Sequence, residues 1–192
     1  MAGKQAKILS DTDLASVLSA LATTRHPQRS RVMVLLSAKA GLRAAEIGKL
    51  DWSMILDASG EVGTVIELRN KIAKKGGGRI IPMHPLLTDA LRSLKGSQQR
   101  PEGPVVRSER GGHMNPVSVC NAFSNLFRLA GLQGCSSHSG RRTFITKAAR
   151  AVGRVGGSLR DVQRLAGHAD LSTTAIYIED NSEAQQQLVR LI

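Results

Sequence analysis

Between residues 62 and 83 the chain changes its period. Val62 to Leu68 is rich in β-branched residues and reads as a strand, and Arg79-Ile-Ile-Pro-Met83 reads as its antiparallel partner. The link between them is Asn70-Lys-Ile-Ala-Lys74-Lys75-Gly-Gly-Gly78. Successive glycines free the backbone and remove side chains at the tip, so Lys74 and Lys75 are carried on a flexible turn. Such a turn can reach into a DNA groove, and it can equally be a solvated basic loop. Elsewhere the apolar residues recur at helical spacing. One short hairpin must therefore fit against a helical body. The expected class is mostly α with a small antiparallel β-sheet (α+β).

Local signals place the helices. Ser10 caps a first helix, with Asp13 at the acid position and Leu14, Val17, Leu18 and Leu21 on one face. Thr23 to Pro27 interrupts it. A second helix is expected from about Arg29 to Ala40, with Val32, Val34, Leu35 and Leu36 in the core, and Gly41 ends it. Arg43 then enters the first turn of a short third helix. A guanidinium beside free helix N–H groups makes an anion site, although this segment taken alone favours an ordinary surface arginine. Further helices are expected from His84 to about Leu94, from Pro116 to Leu129, and behind His138 and Arg141, which share a face. Ser158 and Asp161 form the next capping box, Gly167 ends that helix, and a last one starting at Leu171-Ser172 is expected to carry Tyr177. Residues 1–9 read as a loose basic tail. Residues 10–192 read as a single domain with no linker or internal repeat.

Charge narrows the partners. Lys and Arg number 27 against 15 acids, a net charge of +12, which points to a polyanion. Nucleic acid is the first choice. A membrane surface is not supported by any separate basic amphipathic helix, and no apolar run is long enough to span a bilayer. Aromatics are 3% of the chain, too few for the stacking platforms of an RNA-binding module. Cys120 and Cys135 have no metal-ligand spacing and suggest no disulfide framework.

The remaining signal is an ordered set of residues. Two arginines, two histidines and a hairpin lysine precede Tyr177, the sole tyrosine. The segments are Ala40-Gly-Leu-Arg43-Ala-Ala-Glu46, Lys74 eight residues before Pro82, His138-x-x-Arg141, and Leu165-x-Gly-His168-x-Asp-Leu-Ser-Thr-Thr-x-x-Tyr177. In this order they resemble the catalytic domain of the tyrosine recombinase (phage integrase) family, from roughly residue 7 to the end.

The resemblance implies a catalytic domain of that fold and a site-specific DNA recombinase. Tyr177 would attack the phosphorus and form a 3′-phosphotyrosine, and rejoining to a partner strand would need neither ATP, metal nor cofactor. Arg43 and Arg141 would hold the non-bridging oxygens. Lys74 would protonate the departing 5′ oxygen, with Lys75 as a competitor on the same turn. His138 would take or orient the tyrosine proton, and His168 would hydrogen-bond the phosphate or brace the pocket. Lys75 and Arg142 are expected on the DNA. Arg142 stands where the family often has histidine, and a glycine-rich loop lengthens the gap from Arg141 to His168. The family's N-terminal core-binding domain is not expected in this chain. The implied partners are double-stranded DNA, a homo-tetramer on paired sites that exchanges C-terminal tails (residues 182–192 here), and an accessory DNA-bending protein. The implied setting is the cytoplasm, at the nucleoid, of a bacterium or phage host. A DNA-binding regulator that retains the fold without catalysis, and a type IB topoisomerase, are the rival readings.

Overall fold

The computed structural model of the chain describes residues 6–73, 77–98 and 101–177, together with 186, 189 and 190. Lys74, Lys75 and most of the 182–192 segment lie outside the described residues. Eight α-helices and one hairpin account for the described architecture: α1 Asp11–Ala20, α2 Pro27–Ala40, α3 Ala44–Gly48, β1 Val65–Leu68, β2 Arg79–Pro82, α4 Pro85–Gly96, α5 Pro116–Leu129, α6 Ser139–Ala151, α7 Leu159–Ala166 and α8 Leu171–Ala175. The mostly helical class with a small antiparallel sheet is borne out.

α2 is the spine. It is buried along most of its length and packs against α4 and α6, while α1 and α3 pack on α5. Val32, Leu35, Leu36, Trp52, Ile66, Phe123 and Phe127 are among the fully enclosed side chains of one large core. The hairpin pairs Val65 with Pro82, Ile66 with Ile81, Glu67 with Ile80 and Leu68 with Arg79. Its period-two alternation turns Ile66, Leu68 and Ile81 inward. A second, much smaller cluster joins α6 and α7 through Ile145, Val162 and Ala166, with Phe144, Leu159 and Tyr177 packed against it.

Several boundaries differ from the sequence expectation. The first strand begins at Val65, because Val62 instead bridges Leu56 and Gly63 donates its N–H to Ile55 O at 3.0 Å. α2 starts at Pro27, not near Arg29: proline suits the first turn, where its missing N–H costs nothing. Residues 6–9, expected within a loose tail, lie against α6. Leu9 is buried and its N–H donates to Thr143 Oγ1 at 2.7 Å. Tyr177 is not in α8, which ends at Ala175. It sits in the following turn, its N–H reaching back three residues to Thr174 O at 3.1 Å.

Candidate active site

Arg43 caps the N-terminus of α3. Glu46, in the first turn of that helix, accepts from Arg43 N at 2.9 Å and from Arg43 Nη1 at 2.9 Å. Glu46 is 1% exposed, and an unpaired carboxylate there would cost several kcal/mol. A second guanidinium completes the pairing. Arg79, the first residue of β2, donates Nη1 and Nη2 to the two Glu46 oxygens at 3.1 Å each. Burial alone pushes the Glu46 carboxyl up. The hydrogen bonds and charge of Arg79, followed by those of Arg43, outweigh it and hold the group below the usual range.

The end of α7 organises the rest. Its last carbonyls lack intrahelical partners, and three arginines from three elements take them in sequence. Arg79 Nε donates to Leu165 O at 2.8 Å, Arg141 Nη2 to Ala166 O at 2.7 Å, and Arg43 Nη2 to Gly167 O at 3.1 Å. A helix C-terminus favours positive charge, so the arrangement is doubly suited to guanidinium groups. Gly167 adopts φ 62° as the left-handed cap, and a Cβ there would lie 2.7 Å from Arg79 Nη1. Both the backbone and the space require glycine.

Arg141 enters from α6 and is buried. Its Nη1 donates to Gly41 O at the C-terminus of α2. Burial, then the neighbouring Arg43, lowers its pKa to about 10, so it remains a cation at neutral pH. His168 follows the Gly167 cap. Gln163 Nε2 donates to His168 O at 3.1 Å and to Ala169 O at 3.0 Å, and His168 Nδ1 pairs with the buried Thr174 hydroxyl at 2.9 Å. Burial, then Arg141, Arg43 and Arg79, depresses the imidazole to about 4. His168 is therefore neutral at pH 7, with Nδ1 engaged and Nε2 left for another partner. Its ring stacks on Tyr177, with centroids 6.0 Å apart and planes at 22°.

Two openings flank this framework. Arg43, Gly78, Arg79, Arg160, Arg164 and His168 help to line a cavity of about 920 Å³. His138, Arg141, Arg142 and Tyr177, with Ala6 and Ile176, line a smaller one of about 200 Å³. The sequence-derived residues thus fall into two adjoining groups, joined by the His168–Tyr177 stack and the carbonyls of Ala166 and Gly167. His138 is exposed at the N-cap of α6. Arg142 donates Nη1 to Ala6 O at 3.1 Å, so part of its guanidinium holds the N-terminal segment. Lys74 and Lys75 lie outside the described residues, but Gly77 and Gly78, at the end of their turn, line the larger cavity.

Four participants escaped sequence reasoning: Arg79, Thr174, Gln163 and the role of Glu46. Only Glu46 carried a usable signal, an acid three residues after Arg43 in the first turn of a helix. Nothing adjacent to Arg79 announces a partner 33 residues away.

Guanidinium groups gather beside a tyrosine and a neutral histidine in a helical domain, an arrangement able to meet an anionic group. Residues 7–184 match the model of the phage integrase family. The chain belongs to the phage integrase family. It is 33% identical over 153 residues to the tyrosine recombinase XerC of Mesorhizobium japonicum, covering 78% of this chain and 46% of that protein. It is 28% identical over 187 residues to the tyrosine recombinase XerA of Thermococcus kodakarensis, covering 94% and 62% respectively. The chain spans about half the length of the curated relatives it matches. Its fold is similar to a crystal structure of XerA recombinase, with TM-score 0.71 and 24% identity over 100% of this chain and 65% of that one. It is also similar to the Tn1549 transposon integrase in complex with a circular intermediate DNA, with TM-score 0.76 and 18% identity over 100% of this chain and 67% of that one.

Proposed function

We propose that the chain cuts and rejoins DNA strands at specific sites. The observation that carries this reading is the joint anchoring of Arg43 and Arg141 on the loop that presents His168, with Tyr177 stacked on that histidine. In the reaction, Tyr177 Oη attacks the scissile phosphorus, a P–O bond to tyrosine forms, and the P–O5′ bond breaks to leave a 3′-phosphotyrosine. The phenolic proton passes to His138, and Lys74 protonates the departing 5′ oxygen. Arg43 and Arg141 neutralise the non-bridging oxygens, most strongly in the crowded transition state. Neutral His168 offers Nε2–H to the same phosphate. A 5′ hydroxyl of a partner strand then reverses the chemistry, so no external energy source enters.

The partner is double-stranded DNA, consistent with the net charge of +12. Lys75 and the outer face of Arg142 contribute to backbone contacts. Strand exchange requires assembly on paired sites, for which a homo-tetramer exchanging residues 182–192, aided by a DNA-bending protein, is the working arrangement. The setting is the cytoplasm at the nucleoid, in a bacterial or phage context. Among the described residues no helix is long and apolar enough to cross a membrane.

Trapping tests the reading. The wild-type chain selects a sequence from a randomised duplex pool, and that duplex is then nicked beside the cleavage point so that the released strand diffuses away. A covalent protein–DNA band on a denaturing gel, absent in Tyr177→Phe, is the expected result. Tight binding with no covalent band in the wild type would favour a DNA-binding regulator, and relaxation of any plasmid without site preference would favour a topoisomerase.

A further inference from the structure

Arg79 stands where α3, β2 and the end of α7 meet, yet it is none of the residues to which the chemistry assigns a step. Its side chain is 7% exposed. The guanidinium spends Nε on Leu165 O and both terminal nitrogens on Glu46, and it lies directly beneath Gly167. Its backbone is the first ladder position of β2, paired with Leu68, where the lysine-bearing turn closes. It therefore ties the turn end of the hairpin ladder to α3, which presents Arg43, and to the end of α7, which presents His168.

The shared carboxylate is the informative feature. Arg43 Nη1 and Arg79 Nη1 both donate to Glu46 Oε1. With Arg79 present, the Glu46 charge is met twice, and Arg43, which also donates to Gly167 O, lines the cavity without being the carboxylate's sole counter-charge. Without Arg79, the buried carboxylate has Arg43 as its remaining guanidinium partner and draws it inward. A lysine in place of Arg79 would keep the charge but lose the fork that spans both carboxylate oxygens and the Leu165 carbonyl.

We propose that Arg79 is a positioning residue that keeps Arg43 available to the scissile phosphate and locks the turn end of the hairpin ladder to the His168 loop, a role that rests on the strand-cleavage reading above. It touches neither the phosphate nor the tyrosine. Its effect on cleavage runs through Arg43 and the loop.

The test uses the full chain as wild type, Arg79→Gln, Arg79→Lys and the double variant Arg79→Gln/Glu46→Gln. The first readout needs no DNA: the Nε–H resonance of Arg43 and the pH titration of the His168 ring by NMR. In Arg79→Gln the Arg43 signal moves and His168 protonates at higher pH; if both stay unchanged in a folded variant, the proposal is overturned. The second readout is single-turnover cleavage of the nicked duplex selected by the wild-type chain. Arg79→Gln and Arg79→Lys lose about 10²-fold in rate, the scale of a displaced catalytic group, while affinity for the duplex is little changed. Replacing one non-bridging oxygen of the scissile phosphate by methyl removes the charge that Arg43 meets, so the defect shrinks on that substrate. Glu46→Gln in the Arg79→Gln background releases Arg43 and recovers about tenfold. An equal loss on both substrates, with no recovery in the double variant, would mean that Arg79 serves stability alone. If Arg79→Gln does not fold, Arg79→Lys carries the same two readouts. A wild-type chain that makes no covalent product defeats the strand-cleavage reading, and the NMR arm still decides whether Arg79 sets Arg43.

Discussion

The body built from α1 to α5 and the hairpin contrasts sharply with the unit built from α6 to α8. The first encloses Trp52, Phe123, Phe127 and a continuous set of aliphatic side chains around α2. Among the described residues the second has Ile145, Val162 and Ala166 as its buried apolar residues, with a few half-buried neighbours. Arg43 and Arg79 hang from the first region, His168 and Tyr177 from the second. What joins them at the site is polar: Arg79 and Arg43 donate to the carbonyls of Leu165 and Gly167, and Arg141 donates back to the carbonyl of Gly41. Apolar packing resists displacement because a cavity costs free energy in proportion to its size. Hydrogen bonds exchange with water at a smaller net cost. Arg43 and Arg79 thus sit on the large packed body, and α6 is packed on it through α2, whereas the end of α7, which presents His168, meets Arg43 and Arg79 through hydrogen bonds.

Variants probe this contrast directly. The largest effect is expected of Tyr177→Phe, which abolishes the covalent band while leaving gel-shift affinity unchanged; residual covalent product would assign the nucleophile elsewhere. Next comes the large core: Phe123→Ala should cost about 3–5 kcal/mol in denaturant unfolding. Arg141→Lys follows. It strands the Gly41 or Ala166 carbonyl and weakens charge relief on the phosphate, lowering the cleavage rate by roughly 10²–10³-fold with modest change in DNA affinity. Ile145→Val in the small cluster should cost only about 0.5–1.5 kcal/mol. A value matching the Phe123 variant would erase the distinction between the two regions.

A further effect is on pH dependence. His168 is depressed in the folded chain to about 4 from 6.5, by burial and then by Arg141, Arg43 and Arg79. The unfolded chain therefore binds a proton as pH falls through 6.5, and the folded chain does not until about 4. Stability at this site declines across that window and is intact above it. Thr174→Val removes the hydroxyl that holds Nδ1. NMR titration should show the ring of that variant less rigidly oriented, with its protonation still below the ordinary histidine range because the burial and the arginines persist.

Much of the site is legible in the order of the residues. Arg43, Arg141, His168 and Tyr177 stand in short motifs, and the motifs of Arg43 and His168 each follow a local stop signal, Gly41 and Gly167. Tyr177 shows the limit of that legibility. Helical spacing extends through it, yet α8 closes at Ala175 and the ring meets His168 from a turn. Lys74 and Lys75 illustrate another limit, since a glycine-rich connection encodes reach without direction.

The amino-acid order alone specifies the mostly helical class, the hairpin, the caps at Ser10, Gly41, Ser158 and Gly167, and the strongly basic character of the chain. These rest on periodicity, on cap chemistry and on charge, which act within a few residues or on the chain as a sum. Tertiary packing was needed to settle that Glu46 is shared by Arg43 and Arg79, that Arg142 holds Ala6, and that three successive carbonyls at the end of α7 are met by arginines from β2, α6 and the start of α3. Most of those pairings join residues separated by long stretches of chain. Their energy comes from desolvated charge meeting a complementary group, and which groups meet is set by how the helices pack.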